Sequence, residues 1–403
     1  MTERTPGIYG GVDTHHEVHV AAVVDQTGRI LDVSSFPATG AGYRQLLAWM
    51  RRNGEVVRVG VEGTGSYGAG LARHLAGEAV EVVEVNRPNR QARRRRGKND
   101  TVDAEAAARA ALNGEATGVP KAADGMVESI RAIRVAFCST RNTRTRVANQ
   151  LGGLIVCAPD QLRRDLEGLD TPGRVKRAAR FRPGDLADPV EGTKAAMRAL
   201  ARQHQALTGD LDQLRDQLDT LTRHANPALR RAVGVGADVA SILLVAAGDN
   251  ADRLTSDAAL AALCGASPVE ASSGKTVRHR LNLGGNRQAN HALWRIAMVR
   301  LTCDPATRAY AQRRRAEGKT SREIIRCLKR YIAREIYRLL TTPPEVADHT
   351  ELRAARTASG LTLAAAADAL DTWPARISEL ERGLRPAPQL ELRYRAWLGL
   401  EVA

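Results

Sequence analysis

Four acidic residues stand where a carboxylate is hard to explain as ordinary surface: Asp13, Glu62, Asp100 and Asp103. Asp13 ends an apolar run that begins at Ile8, and Glu62 ends another that begins at Val56. Asp100 and Asp103 open a helix-like stretch directly after a basic loop. Carboxylates at the ends of neighbouring strands, joined by two from a helix start, can hold a pair of divalent cations about 4 Å apart, an arrangement suited to in-line attack at phosphodiesters. Hard oxygen donors suit Mg²⁺, so two Mg²⁺ ions are the expected cofactor. Any one of these acids alone would read as a turn residue or a helix N-cap. Their joint placement favours the metal.

The elements that must position them follow from periodicity. Ile8 to Asp13, Glu17 to Asp25 and Arg29 to Phe36 read as three meandering strands, with a turn at Gln26-Thr27-Gly28. Gly42 to Asn53 reads as an amphipathic helix with Tyr43, Leu46, Leu47 and Met50 on one face. The Val56 strand, a helix from about Tyr67 to Gly77, a strand from Ala79 to Val85 and a helix from about Val102 to Asn113 follow. The order β-β-β-α-β-α-β-α is that of a ribonuclease H-like fold, in which the first strand lies central and its neighbours gather the acids.

Composition points to a polyanionic partner. Sixty Lys and Arg against 45 Asp and Glu leave a net charge of +15, which favours nucleic acid. Aromatic residues make up 3% of the chain, too few for base stacking to dominate binding as a whole. The cysteines, Cys138, Cys157, Cys264, Cys303 and Cys327, form no CxxC pair, so neither a zinc site nor a disulfide framework is indicated. No signal peptide or long apolar span is evident, and the expected location is cytoplasmic with no membrane contact. Arginine is clustered: Arg87, Arg90, Arg93, Arg94, Arg95, Arg96 and Lys98 lie between the last strand and the Asp100/Asp103 pair. Beside a metal site, such a run is placed to hold the phosphate backbone.

Four domains are expected: a catalytic domain over residues 7–122, a helical coiled-coil region over 123–226, a mainly helical domain over 227–341 and a small helix-turn-helix-like domain over 349–403. In the second, Val127 to Cys157 is helical, Pro159 to Pro189 is a break, and a long helix runs from Thr193 to Ala225. Leu207, Leu211, Leu214, Leu218 and Leu221 follow the alternating spacing of a coiled-coil seam. An intramolecular hairpin that also supports self-association accounts for that seam. In the third, the Gly234-Val235-Gly236 turn precedes an apolar helix, and Arg322 to Leu340 forms a basic amphipathic helix. Between them, Ser272 and Ser273 sit in a loop of small residues beside Lys275, Arg278, Arg280 and Arg287. A hydroxyl among cations suits either a serine nucleophile or a phosphate-binding loop. Ser273-Gly274-Lys275-Thr276 lacks the first glycine of a Walker A loop.

Several of these stretches recur together in one family. The segments GVDTHHEVHVAAVVD, GVEGTGSYG, GKNDTVDAEAAA, LCGASPVEASSGKTVRHR, GGNRQAN and EGKTSREIIRCLKRYIAREIYRLL span roughly residues 8 to 341. The chain resembles the DEDD transposases of the insertion-sequence one-ten family. The resemblance implies a RuvC-like N-terminal domain whose acidic tetrad is Asp13, Glu62, Asp100 and Asp103, a coiled-coil linker, and a C-terminal transposase domain with a catalytic serine. Ser273, which precedes Gly274 and lies five before Arg278, fits the serine, with Ser272 as the fallback. It further implies a structured guide RNA that pairs with donor and target double-stranded DNA, and a homodimer or homotetramer with a composite active site.

Residues 349 to 403 extend beyond that pattern and resemble the helix-turn-helix domain of phage-repressor-like regulators, with Trp373 to Arg382 in the place of a recognition helix. Seven arginines balance seven acids there, so the positive charge resides in the rest of the chain. Neutrality leaves DNA reading and a protein-contact role both open. The expected function is an RNA-guided DNA transposase using metal and Ser273. The alternatives are a RuvC-like nuclease using the four acids and water, and a non-catalytic regulator acting through the C-terminal helices.

Overall fold

The computed structural model describes residues 7–85, 99–274, 276, 279–345, 350–381, 383 and 387–400. Two compact units divide the chain: residues 1–128 with 247–255, and residues 129–246 with 256–403.

The first unit is a mixed α/β layer structure, consistent with a ribonuclease H-like domain. Strands β1 (Gly7–Thr14), β2 (Val18–Val24) and β3 (Ile30–Pro37) form the antiparallel meander, and β4 (Glu55–Glu62) and β5 (Glu81–Val85) extend it. The sheet order is β3-β2-β1-β4-β5, with β4 parallel to both β1 and β5. The first strand is central, as the sequence leads one to expect. Helix α1 (Gly40–Asn53) starts at a Thr39 cap and buries Leu46, Leu47 and Met50 against Val12, Val23, Val59 and Val61. Tyr43 is only partly buried on that face. Helix α2 (Ala69–Gly77) adds Leu71 and Leu75 to the same core.

Helix α3 (Asp100–Leu112) covers the opposite problem, how to bring a helix close to the central strands. Its buried face is Ala104, Ala107, Ala108 and Ala111, at the spacing of one helical stripe. Gly11 of β1 and Gly60 of β4 lie beneath that stripe. A β-carbon added at Gly11 would overlap the backbone of Ala104 and Ala108, and one at Gly60 would press on the Ala107 carbonyl. Glycine in a strand interior weakens it, but marks a close approach of another backbone. That is its role here.

Among the described residues, the second unit is helical apart from one small hairpin. Helix α4 (Met126–Cys157) is followed by α5 (Asp160–Arg164) and α6 (Thr171–Ala178), then by the long α7 (Pro189–Ala225). The break expected over Pro159 to Pro189 therefore contains two short helices, the second capped by Asp170 with Pro172 in its first turn. Their Leu162, Val175 and Ala178, with Leu166 of the turn between them, pack with Leu151 and Ile155 of α4 and Met197 and Ala201 of α7. Along the expected seam Leu211 and Leu218 are buried, while Leu207, Leu214 and Leu221 are half-buried.

After α8 (Pro227–Arg231) and α9 (Ala237–Ala247) come α10 (Asp257–Leu263), the strands β6 (Val269–Glu270) and β7 (His279–Arg280), α11 (Arg287–Cys303), α12 (Pro305–Ala316) and α13 (Ser321–Thr341). The Arg134 guanidinium, almost fully buried, donates to Asp238 at 2.6 Å and to Ser241 at 3.0 Å, and Arg295 pairs with the other Asp238 oxygen. That network ties α4, α9 and α11 together. Helix α13 begins with a capping box of Thr320 and Glu323 and buries Ile324, Leu328, Ile332 and Ile336.

The last helices are α14 (Thr350–Ala358), α15 (Leu363–Ala369), α16 (Pro374–Glu381) and α17 (Pro388–Trp397). They share a core of Leu352, Ala366, Leu370, Ile377, Leu380 and Tyr394. Arg356 and Glu381 form a buried two-bonded pair, and the Tyr394 hydroxyl donates to Glu381 at 2.6 Å. Burial opposes ionisation of Glu381, but Arg356 and Tyr394 outweigh it and hold the carboxyl below its ordinary range. Arg382 and Arg385 of this segment lie outside the described residues. Among the described residues, no helix is long and apolar enough to cross a membrane.

Gly11→Ala should destabilise the first unit by about 3 kcal/mol or more, because overpacking here meets backbone rather than a movable side chain. Gly77→Ala, whose β-carbon would meet nothing within 4 Å, should stay within about 1 kcal/mol of the parent. Urea denaturation followed by circular dichroism checks both, and equal midpoints for the two variants would refute the close-approach argument.

Candidate functional site

Helix α3 fixes two of the acids. Asn99 caps it, its side-chain oxygen accepting from the Thr101 N–H at 3.1 Å, and Asp100 and Asp103 occupy the first turn. Carboxylates there are favoured by the helix dipole. The same alanine–glycine packing that docks α3 carries this turn to the carboxyl end of β1, where Asp13 is only 7% exposed. Asp103 is buried beside it, at 3%. The neighbouring strand ends are in register through Val12 and Val61, and the Thr14 hydroxyl donates to the Glu62 carbonyl at 2.8 Å. Glu62 thus ends β4 alongside Asp13. A tight turn follows, Gly63 holding a φ of +68° and its carbonyl accepting from the Ser66 and Gly68 N–H groups.

Asp13, Asp100 and His15 form a set whose ligand atoms all lie within 4.8 Å of one another. The His15 Nε2 stands 3.3 Å from Asp13 Oδ2 and 3.4 Å from Asp100 Oδ1. Glu62 and Asp103 are close by in the fold but outside that set. Burial pushes the Asp13 carboxyl above its ordinary range; nearby His15 opposes this, and the Asp100 and Asp103 carboxylates add to it. Like charges gathered on a buried acid are what a divalent cation would relieve. An open groove of about 490 Å³, lined by His15, His16, Glu17, Tyr67 and Asp100, leads to this cluster. The donors present fit a divalent metal. His15 was not among the residues expected from the sequence. Its signal was available: an imidazole two residues after Asp13 in Asp13-Thr14-His15.

The serine loop belongs to the second unit and is a β-hairpin. Val269 pairs with Arg280, Glu270 with His279 and Ser273 with Thr276, all in one antiparallel register. Ser273 and Thr276 exchange both backbone hydrogen bonds at 3.1 Å, and Gly274 between them has a φ of +58°. Ser272 and Ser273 are both exposed. The motif GGNRQAN anchors the base of this hairpin. A β-carbon at Gly285 would overlap Gly265; Asn286 caps α11; and the Asn290 amide donates to the carbonyls of Cys264 at 2.7 Å and Gly265 at 3.1 Å. Lys329 of α13 donates to the same Asn290 side chain at 3.0 Å. Asn290 and Lys329 are positioning residues the sequence alone did not single out. Arg280 on β7 and Arg287 at the start of α11 are exposed. The remaining expected nucleic-acid contacts (Arg87, Arg90, Arg93, Arg94, Arg95, Arg96, Lys98, Lys275 and Arg278) lie outside the described residues.

Comparison with known proteins bears on this layout. Residues 10–156 match the DEDD transposase model of the IS110 group, and residues 223–312 match the model described as "Transposase IS116/IS110/IS902 family". The chain belongs to the IS110 family of transposases. The acids and the serine hairpin fall one in each matched segment. A relative from Streptomyces coelicolor, described as "Insertion element IS110 uncharacterized 43.6 kDa protein", is 34% identical over 149 residues. That match covers 36% of this chain and 35% of the relative, so it spans about a third of the relative's length.

Titration of the purified protein with Mg²⁺ or Mn²⁺ by calorimetry should show binding that Asp13→Asn weakens by at least about tenfold, the loss expected even for a group that only supports a ligand. His15→Ala should weaken Mn²⁺ more than Mg²⁺, since imidazole is the softer donor. Unchanged affinity in Asp13→Asn would remove the acids from the metal site.

Proposed function

We propose that the chain is the transposase of a mobile insertion sequence, a recombinase that cuts and rejoins donor and target double-stranded DNA under the guidance of a structured RNA. What carries the reading is the meeting of Asp13, Asp100 and Asp103 where α3 docks on the central strands, in a chain of the IS110 family. Asp13, Glu62, Asp100 and Asp103 would hold the metal, two Mg²⁺ ions, with His15 in reach. When bound, the metal supplies positive charge at the scissile phosphate and favours in-line displacement.

Ser273 is the nucleophile in this reading. Its Oγ forms a bond to phosphorus and loses its proton as the bond to the leaving strand oxygen breaks; that oxygen takes up a proton and departs as a hydroxyl. The strand is then held as a serine phosphodiester. Attack by the hydroxyl of an exchanged strand reverses the step and reseals the DNA without net hydrolysis. A serine hydroxyl is a weak nucleophile, so nearby cations, Lys275 or Arg278 among them, must stabilise the charge that develops. Homodimers or homotetramers would supply the acids and the serine to one composite site. The domain limits given above, residues 7–122, 123–226, 227–341 and 349–403, are part of this proposal, as is a coiled-coil role for α7.

One observation favours a second reading. The acid cluster and Ser273 belong to different units of the chain, and four acids with water suffice for a RuvC-like nuclease. Denaturing gels separate the two. Ser273→Ala should abolish both strand cleavage and any covalent protein–DNA adduct, while Ser272→Ala is milder; efficient Mg²⁺-dependent cutting by Ser273→Ala would install water as the nucleophile.

The C-terminal helices make a further point testable. Their charge is balanced, so a chain ending at Thr342 should bind guide RNA within about threefold of full length, since phosphate neutralisation sets that affinity. It should also retain DNA cleavage. A folded truncation with no cleavage would make those helices part of the catalytic assembly.

A further inference from the structure

Beside the serine hairpin, within the second unit, lies a cavity of about 540 Å³. Its walls carry Arg280 of β7, Arg313 and Arg314 of α12, and Arg326, Lys329 and Arg330 of α13, with no Asp or Glu among the lining residues. Arg314 is offset by Glu317 at 2.5 Å and Arg330 by Asp257 at 2.9 Å. Among the described residues, no ion pair involves Arg280, Arg313, Arg326 or Lys329. The crowding has a measurable consequence: burial, then the neighbouring Arg326, hold the Lys329 ammonium below its ordinary value. Four cations without an ion pair of their own, with Glu323 acting on Arg326 only at longer range, are stabilised by a bound anion.

The cavity has an aromatic side as well. Tyr310 and Tyr331 meet edge to face at 5.5 Å, Arg313 lies over the Tyr310 ring at 5.4 Å, and Tyr331 is 56% exposed. In a chain with seven tyrosines in all, two stand in this one wall. Guanidinium groups next to an accessible ring match a nucleotide, phosphate on one side and base on the other. The volume is that of an ordinary small-ligand site, roughly 300–1,000 Å³.

We propose that this cavity holds one unpaired nucleotide of a DNA strand, its phosphate among Arg313, Arg326 and Lys329 and its base against Tyr331. His279 and Arg280 line it from β7, the strand that pairs with the arm of the hairpin leading to Ser273. A strand seated here is therefore held next to the hairpin that bears the proposed nucleophile. That shared wall favours DNA over RNA as the occupant, and to that extent the choice of strand rests on the serine reading above.

The test is equilibrium binding of the full-length protein to a fluorescent, mixed-sequence single-stranded DNA in the presence of EDTA, which needs no chemistry from Ser273. The double variant Arg313→Ala/Arg326→Ala should lose about tenfold in affinity and lower the log–log salt slope by about 0.7, the one phosphate that the cavity neutralises on a single strand. Tyr331→Ala should lose about fivefold or more with the slope unchanged, and Tyr331→Phe should recover most of it. Arg202→Ala, which removes an exposed charge on α7 that does not line the cavity, measures the effect of charge alone. All four positions are exposed, and matching thermal melts verify folding. Losses no larger than that of Arg202→Ala would overturn the proposal, as would losses confined to a matched RNA oligonucleotide. Ser273→Ala should bind as the parent does; if it also cleaves, the serine reading fails while the binding site stands.

Discussion

The contact between an alanine stripe and two strand glycines governs the first unit. Ala104, Ala107, Ala108 and Ala111 of α3 can approach Gly11 and Gly60 closely because neither side offers a side chain beyond a methyl group. Apolar burial per residue is small in such an interface, so its stability depends on dispersion at short range rather than on area. The gain is positional. A helix backbone lying this near the sheet carries its first turn to the strand ends, and the first turn bears Asp100 and Asp103. Larger residues at the same positions would lift α3 and draw the carboxylates away from Asp13.

Electrostatics then divides the molecule by task. In the first unit, acids are brought together against their own repulsion, a cost that burial of Asp13 increases. In the second, guanidinium and ammonium groups line a cavity with few neutralising partners. Each arrangement is unfavourable by itself and complementary to a ligand of the opposite sign. Structural ion pairs of this protein look different. Arg134, which pairs with the half-buried Asp238, and the Arg356–Glu381 pair are buried, multiply bonded and satisfied internally, as buried charges must be to persist. The contrast between satisfied and unsatisfied charge is the better guide to where ligands bind.

Much of this was legible in the chain itself. The meander, the central place of β1 and the acids at strand ends follow from alternating apolar runs, and each of β1 to β5 lies within a few residues of its expected limits, whereas the short pair β6 and β7 was read as a loop. The small helices α5 and α6 were hidden because their region is rich in proline, glycine and charge, and only tertiary contacts with α4 and α7 stabilise them. His15 was overlooked because one histidine after a strand carries no periodic signal. The role of Gly11 and Gly60 was not read from the sequence, because it appears only when α3 lies above them. Tyr310 and Tyr331 are 21 residues apart on successive helices, and no local pattern announces that their rings meet. The low aromatic content argued against stacking in general, a statement about averages that does not reach a single wall.

The hairpin that presents Ser273 has a consequence for how such loops can change length. Its pairings share one register from Val269–Arg280 to Ser273–Thr276. Side chains alternate faces along a strand, so a single residue inserted between Glu270 and Ser273 would turn the hydroxyl to the other face, whereas two in each arm would lengthen the hairpin and keep both its pairing and its aim. Insertions and deletions that keep both the pairing and the aim are therefore quantised at two residues in each arm. A loop that appears free to drift is in fact a ruler with two-residue graduations, and its length sets how far from the helical body the serine is carried.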